Sequence, residues 1–478
     1  MKKAIIFGII LLSKSLTSNC QINWPVGNSK YKTSAWIKFD STGNLFIDTL
    51  KYYIPIASSI AVFKDDQNKL LFTNGCGIYD YDGILIKNGD NINQGTLSDQ
   101  VCNETGYIIP NGVAMIQFPG SKDSILLIHS QAEADPQLVL RNRSLLYSLI
   151  VRDESKQYVV MQKNVEIKKE NFDNFQIIKH ANGRDYWILL LEQSTLNYDL
   201  LLVNPTGIDP YKISNKLIGP EINDSYSHSY CKFSNNGELL SIYNISIGLL
   251  IYGFDRCSGN FTFRGNISSL TNIYNLVDLS YSLNDSLLFV SGGRYINVIN
   301  LHKIGIELAP YVSYTMPLGC LAYRLYTLSN GNVLVSDIHS KPVYHLMFQD
   351  TNNSFTVVRN NYSLSRRQLH SIPMQINDNL QAITGCICDT IKTKTNILHK
   401  KEIPDVQVQK ILNKIYLTSI GCYIHRVQLF RIDGRVLNDS KFDSETKLML
   451  DLPPHLTNTL LFARVYCDKS SVTLKIYT

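Results

Sequence analysis

Charge is scarce in this chain: Asp, Glu, Lys and Arg make up 18% of 478 residues, with a formal excess of six positive charges. No Lys/Arg cluster marks a phosphate-tracking face, which argues against a nucleic-acid partner. Helical periodicity is almost absent, and Val406–Ile415 is the one stretch that reads as a short helix. Past the N-terminus no apolar run approaches the roughly 20 residues of a membrane span, so no transmembrane segment is expected. Cys386 and Cys388 form the only close cysteine pair, and no second pair or suitably spaced His follows. Neither a metal nor another cofactor is expected.

What is present favours strands. Hydrophobic residues reach 44%, which excludes a wholly disordered or collagen-like chain, and 28 Tyr stand beside many Val, Ile and Thr. Aromatic and β-branched side chains pack well on a pleated sheet. The first twenty residues stand apart. Lys2 and Lys3 precede the apolar run Ala4–Leu12, and Ser18 and Cys20 supply small residues before a cut at Gln21, the pattern of a cleaved signal peptide over 1–20. Acylation of Cys20 is the alternative. Cleavage removes Lys2, Lys3 and Lys14, taking the net charge from +6 to +3. Nine cysteines then remain in an oxidising setting, so disulfides are the default and at least one thiol is left over. Cys76 and Cys102 bracket a turn-rich segment and are expected to pair.

One unit recurs: a polar turn followed by four to six apolar residues. It opens Asn68–Phe72, Asp123–Ile128, Arg184–Leu191, Gly237–Tyr243, Asp285–Val290 and Gly331–Ser336. The spacing of roughly 45–60 residues matches one propeller blade with variable loops. Six anchors and a closing blade predict a seven-bladed β-propeller over 21–395, closed by pairing Gln381–Thr384 with Ala35–Phe39. An array of β-sandwiches is the competing architecture. A Lys- and Thr-rich linker over 396–408 leads to a compact strand pattern over 409–478, including a hairpin turn at Asp433 and Gly434. This reads as a small β-sandwich, with Cys422 and Cys467 placed to staple it.

The C-terminal pattern resembles the sorting domains of type IX secretion cargo in the Bacteroidota. The resemblance is carried by Val427–Ile432, by Gly434, Arg435 and Val436 of the turn, by Asp451–Pro453, by Leu461–Tyr466 and by Lys475 within Leu474–Ile476. It implies export across both membranes, with the type IX machinery as partner and a secreted or cell-surface destination. The body resembles secreted seven-bladed propellers of the same bacteria over Leu71–Tyr79, Lys87–Asp90, Lys179–Trp187, Phe233–Leu240, Phe254–Gly259 and Ser291–Gly293. That family brings no settled activity with it.

Chemistry-bearing residues are sparse. His180, Asn182, Arg184 and Asp185 crowd the start of one apolar strand and are the candidate ligand-binding set at the propeller mouth; the competing reading is a satisfied turn. There is no Gly-x-Ser-x-Gly elbow and no Asp-box, so neither an esterase-like serine nor sialidase chemistry has support. Two functions follow: a non-enzymatic scaffold that displays loops to a surface glycan or protein, or a lactonase-like or carbohydrate-active enzyme with its site in the central channel. The channel lining separates them, because convergent carboxylates and His favour catalysis whereas a Tyr- and Asn-lined wall favours binding.

Overall fold

The computed structural model describes residues 22–28, 32–39, 45–134, 140–222, 228–270, 277–303, 311–316, 321–337, 343–349, 354–360, 373–374, 376–378, 380–383, 405–411, 414–420, 423–431, 436–451, 460–467 and 470–477. The expected leader over 1–20, Cys422, Gly434 and Arg435 lie outside them. The chain divides into two units, residues 1–389 and 390–478. Among the described residues the only α-helix is the six-residue Thr96–Val101, and no helix is long and apolar enough to cross a membrane.

The first unit is a succession of antiparallel meanders. The first sheet holds Ile22–Asn28, Thr33–Phe39 and Leu45–Thr49, and the second Ala61–Lys64, Leu70–Thr73 and Ile78–Asp80. The third has seven strands: Val113–Gln117, Ser124–Ala134, Leu140–Arg152, Tyr158–Lys179, Tyr186–Glu192, Asn197–Asn204 and Gly207–Lys216. Its long strand Tyr158–Lys179 pairs with Leu140–Arg152 along its first part and with Tyr186–Glu192 along its last, with register shifts where it changes partner. Four-stranded sheets follow, starting at Ser229–Phe233, Val277–Tyr281 and Ala322–Thr327. Five of the six repeat anchors lie at the strand next to a sheet's leading strand, because the polar turn separates the two; the other, Arg184–Leu191, lies beside the long strand Tyr158–Lys179 inside the seven-stranded sheet.

Burial explains why these strands stay together. In the fourth sheet the middle strand Gly248–Phe254 is buried throughout, whereas the last strand, Phe261–Ile267, is largely open. A strand apolar on both faces needs a sheet on each side. Those neighbours exist. Phe63 and Leu71 of the second sheet pack on Ile125 and Leu127 of the third, and Trp187 and Leu200 of the third pack on Phe233 and Leu240 of the fourth. Leu249 then meets Leu288 of the fifth sheet, and Phe289 meets Leu325 of the sixth. Finally Leu328 and Leu334 of the sixth sheet join Trp24, Trp36 and Phe72 of the first and second. The last sheet thus packs on the first, and the ring closes as a β-propeller.

Two expectations need correcting. Ala35–Phe39 pairs within its own sheet, with Ile22–Val26 and Leu45–Thr49, because the N-terminal residues supply all three strands. Ile383 instead donates its N–H to the Ala181 carbonyl at 2.8 Å, which sets it against a turn of the third sheet, and Thr384 lies outside the described residues. Val406–Ile415 is not helical either. Asp405–Ile411 and Lys414–Ile420 are paired strands, in which the alternation of Val406 and Val408 with polar residues has prevailed over a weak helical spacing. Residues 405–408, read as the end of the linker, therefore belong to a strand.

Two buried polar networks tie the second sheet and its loops to the third. His129 is fully buried: Nδ1 lies 2.6 Å from Asn93 Oδ1 and Nε2 3.1 Å from Ser148 Oγ. Asn93 Nδ2 donates to the Gly75 carbonyl, which orients Oδ1 toward the ring and assigns the ring proton to Nδ1. Nearby, Arg152 Nη2 and the Tyr158 hydroxyl both donate to Asp65 Oδ2, at 2.7 and 2.6 Å. Cys76 and Cys102 form the expected disulfide, 26 residues apart. Loop closure of that size stabilises by about 3 kcal/mol through the unfolded chain.

The second unit holds two antiparallel sheets. One is Asp405–Ile411, Lys414–Ile420 and Lys447–Asp451; the other is Val436–Glu445, Ile424–Arg431, Leu460–Cys467 and Ser470–Tyr477. Alternate residues Val427 and Leu429, Ala463 and Val465, and Leu448 and Leu450 are buried, while Met449 and Val436 are exposed. Each sheet thus has one apolar face, as a small β-sandwich requires.

Candidate functional site

The four residues singled out in the sequence fall in the turn that joins Tyr158–Lys179 to Tyr186–Glu192. Asn182 organises it. Its Oδ1 accepts the N–H groups of Arg184 and Asp185 at 3.0 and 2.9 Å, and its Nδ2 donates to Asp185 Oδ2 at 2.8 Å. The Arg184 guanidinium meets both Asp185 oxygens, from Nε at 2.8 Å and Nη2 at 3.2 Å. His180 Nδ1 accepts the Asn182 N–H at 3.0 Å, and its ring centroid lies 5.0 Å from that of Trp187. Burial holds the His180 pKa below its ordinary value, against the opposing pull of Asp185. Gly183 sits at φ +73°, a left-handed position where a Cβ would also crowd Ala382.

This turn is also a joint between sheets. The Arg256 carbonyl of the fourth sheet accepts from the Ala181 N–H and Trp187 Nε1, at 3.2 and 2.8 Å. Arg256 in turn donates to the carbonyls of Lys179 and Gln381. The Tyr186 hydroxyl reaches Asp378 Oδ1 at 2.9 Å, and Asn377 Nδ2 donates to the Asn235 carbonyl at 2.7 Å. The segment 376–383 therefore straps the third sheet to the fourth. Cys257, beside Arg256, is disulfide-bonded. From Ile383 the chain reaches Cys386 or Cys388 within five residues, about 10–17 Å of extended backbone. Non-reducing peptide mapping is expected to recover Cys257 joined to the peptide carrying those two; recovery with Cys320 would overturn this.

A second polar group lines the interior, where the leading strands of successive sheets face one another. On Ser229–Phe233 the residues Ser229, Cys231 and Phe233 are buried, and Tyr230 and Lys232 alternate with them, half-buried on the opposite face. Asp278 stands on the next leading strand and Tyr323 and Arg324 on the one after. Tyr230 lies within electrostatic reach of Asp173, Asp278, Tyr323 and Arg324. Asp278 Oδ2 accepts the Leu325 N–H at 3.0 Å, and Oδ1 is 3.8 Å from Arg324 Nη1. Asp173 accepts the Ser229 N–H at 2.8 Å and faces His228 Nδ1 at 3.0 Å. Arg324 also donates to Asn111, in the turn before Val113–Gln117, and the Tyr323 hydroxyl lies 3.4 Å from Ser58 Oγ. Burial pushes the Lys232 ammonium down to about 8, with Asp278 opposing and Arg324 adding to the shift.

Both interior carboxylates thus reach across to a backbone N–H of the following sheet. That is structural work, and it leaves a wall of Tyr, Asn, Lys and Arg. None of these residues was singled out from the sequence. The available signal was a polar residue at alternate positions of a short apolar strand, as in Tyr230, Cys231, Lys232 and Phe233.

No protein-family model and no curated protein matches the chain. Solved structures do. A protein from Lactobacillus plantarum gives a TM-score of 0.49 at 10% identity, covering 73% of this chain and 98% of that one. The periplasmic gluconolactonase of Pseudomonas aeruginosa gives 0.44 at 10% identity, over 72% and 97%. The β-propeller domain of Swd1 from Myceliophteria thermophila gives 0.37 at 10% identity, over 66% and 93%. At such identities and scores the assignment rests on the molecule's own packing, and that packing makes the first unit a β-propeller.

Proposed function

We propose that this chain is an exported seven-bladed propeller that binds ligands without transforming them, delivered by its C-terminal module. The observation that carries the binding reading is the use of the polar groups: Asp173 and Asp278 accept backbone N–H groups of neighbouring sheets, and Asp185 holds Arg184 and Asn182. Acid–base chemistry needs a group placed to exchange a proton with a substrate, and these carboxylates are engaged in joining strands. The count of seven is supported by the six anchors together with the first sheet, with the seven-stranded sheet taken as two blades that share the strand Tyr158–Lys179.

The turn at His180, Asn182, Arg184 and Asp185 is the proposed rim contact for a surface glycan or protein. The module is the proposed address read by the type IX machinery, giving a secreted or cell-surface location. Val436 of its motif begins a strand and is 52% exposed, and Lys475 lies on the last strand opposite Phe462. The experiment compares the full chain with a chain ending at residue 404 in a type IX-competent host. The full chain should leave the cell and the shortened one should stop in the periplasm. Purified full chain should turn over no lactone, ester or glycan. Export of the shortened chain would remove the address role, and turnover would replace the scaffold with the channel enzyme.

A further inference from the structure

The turn after Ile78–Asp80 lays an aromatic ring on one face of the first sheet. Register defines that face. Trp36 stands opposite Asp48 and Lys38 opposite Phe46, so these four side chains share one side of the pair Thr33–Phe39 and Leu45–Thr49. Trp36 is buried. Its ring stacks on that of Tyr81, with centroids 5.1 Å apart and planes 13° from parallel, and its Nε1 donates to the Tyr81 carbonyl at 2.9 Å. Asp80 Oδ1 closes the same turn by accepting the Ile84 N–H at 2.8 Å. Tyr81 is thus held by its backbone and by one ring face. Lys38 does not cover the other face, because its ammonium sits beyond the hydroxyl, 3.0 Å from Oη and 5.4 Å from the ring centre. Tyr81 is 38% exposed and Phe46 46%. Between these two rings Lys38 Nζ bonds Asp48 Oδ2, and the Asp48 side chain is 55% exposed. An ammonium has three donors. Among the described residues the third donor of Lys38 and the second oxygen of Asp48, Oδ1, meet no partner.

We propose that this shelf binds a neutral saccharide, with one sugar ring lying on Tyr81 beside Phe46 and its hydroxyls bonded to Asp48 and Lys38. Charge balance selects an uncharged ligand, since Lys38 and Asp48 neutralise each other and leave nothing to hold an ion. The C–H hydrogens on the face of a sugar ring are slightly positive and meet the negative face of an aromatic ring. Its hydroxyls both donate and accept, which matches an open carboxylate oxygen beside an open ammonium donor. Tyrosine has few torsions to lose, and this one is fixed in advance, so ordering it costs little on binding. An extended peptide is the less suitable occupant. Among the described residues Leu45–Thr49 is paired on one side only, but a charged side chain such as Asp48 on an edge strand disfavours addition of a further strand. The site deepens the binding reading above by naming a ligand class. It lies on other sheets than the turn at His180 and depends on neither that turn nor export.

The test is calorimetric titration of the full chain with cellohexaose, maltohexaose and chitohexaose. At least one is expected to bind, and raising the salt about tenfold should change its affinity less than about twofold, because no net charge is screened. Tyr81→Ala and Phe46→Ala should each weaken binding at least about fivefold, and Tyr81→Phe should retain it within about threefold. Tyr295→Ala removes a ring that is 47% exposed on another sheet and should change nothing. Binding of none of the three sugars, or equal binding by Tyr81→Ala, overturns the site. Binding of an alternating Thr-Val peptide in place of every sugar also overturns it and gives the edge to strand addition. A second measurement on the unmodified chain covers a variant that does not fold: nitration of Tyr81, followed by mass spectrometry, should slow about fivefold when the bound sugar is present. Undiminished nitration at saturating sugar overturns the site as well. A failed titration leaves the export and turnover results standing, so the two readings fail separately.

Discussion

Lowering the pH from 7 to 4 is expected to remove about 3 kcal/mol of stability through His129 alone. Burial lowers its folded pKa to about 3, against an ordinary 6.5. The neutral ring fits its site, because Nδ1 donates to Asn93 and Nε2 accepts from Ser148. In the unfolded chain the same ring takes a proton near pH 6.5. Between those values the unfolded state binds more protons, so the stability present above pH 6.5 is lost as the pH falls toward 3. Urea unfolding at pH 7 and pH 4, for the native chain and for His129→Gln, gives the measurement. The variant starts less stable but should lose about 3 kcal/mol less between the two conditions. Parallel losses in both proteins would assign the acid sensitivity elsewhere.

Arg152→Ala is expected to cost about 3–5 kcal/mol, the range for breaking a buried ion pair from one side. The side chains of Arg152 and Asp65 are only 7% and 2% exposed. Burial pushes the Asp65 carboxyl up, but the Tyr158 hydroxyl, the Lys69 and Gln67 N–H groups and Arg152 together outweigh it and hold the group below its ordinary value. Removing the guanidinium strands that charge between the second and third sheets. Adding Asp65→Ala to the variant should recover part of the loss, since no buried charge then remains. Chemical denaturation of the two single variants and the double variant measures the coupling. Additive losses would mean that the pair contributes nothing beyond its separate contacts.

The propeller was legible because its repeat is one of turn chemistry. Asn236–Gly237, Asp285 and Asn330–Gly331 sit in the connections that precede second strands, and Gly237 and Gly331 adopt the left-handed backbone their turns require. Such signals are local, so they survive without knowledge of neighbours. The closing of the ring was not local. It depends on Leu328 and Leu334 finding Trp24, some three hundred residues away, and nothing in Gln381–Thr384 distinguishes a strand that closes a sheet from a segment set against a turn of one. The candidate turn was found because Asn182–Gly183 is a turn signal in itself. Lys232, Arg324 and Asp278 stayed hidden because a strand's two faces look alike in sequence until the ring fixes which one looks inward. His129 was missed for a related reason: its partners Asn93 and Ser148 are 36 and 19 residues away.

The strand Tyr158–Lys179 has a consequence for how the ring breathes. Elsewhere adjacent sheets meet chiefly through side chains, so one can loosen while its neighbour keeps every ladder bond. The halves of the third sheet share a backbone instead, and fraying that strand would strip hydrogen bonds from both at once. Local opening is drawn from regions where few backbone bonds must break together. Opening of the ring is therefore expected at joints between separate sheets, such as the side-chain contact of Leu328 and Leu334 with Trp24, before it is seen within the third sheet.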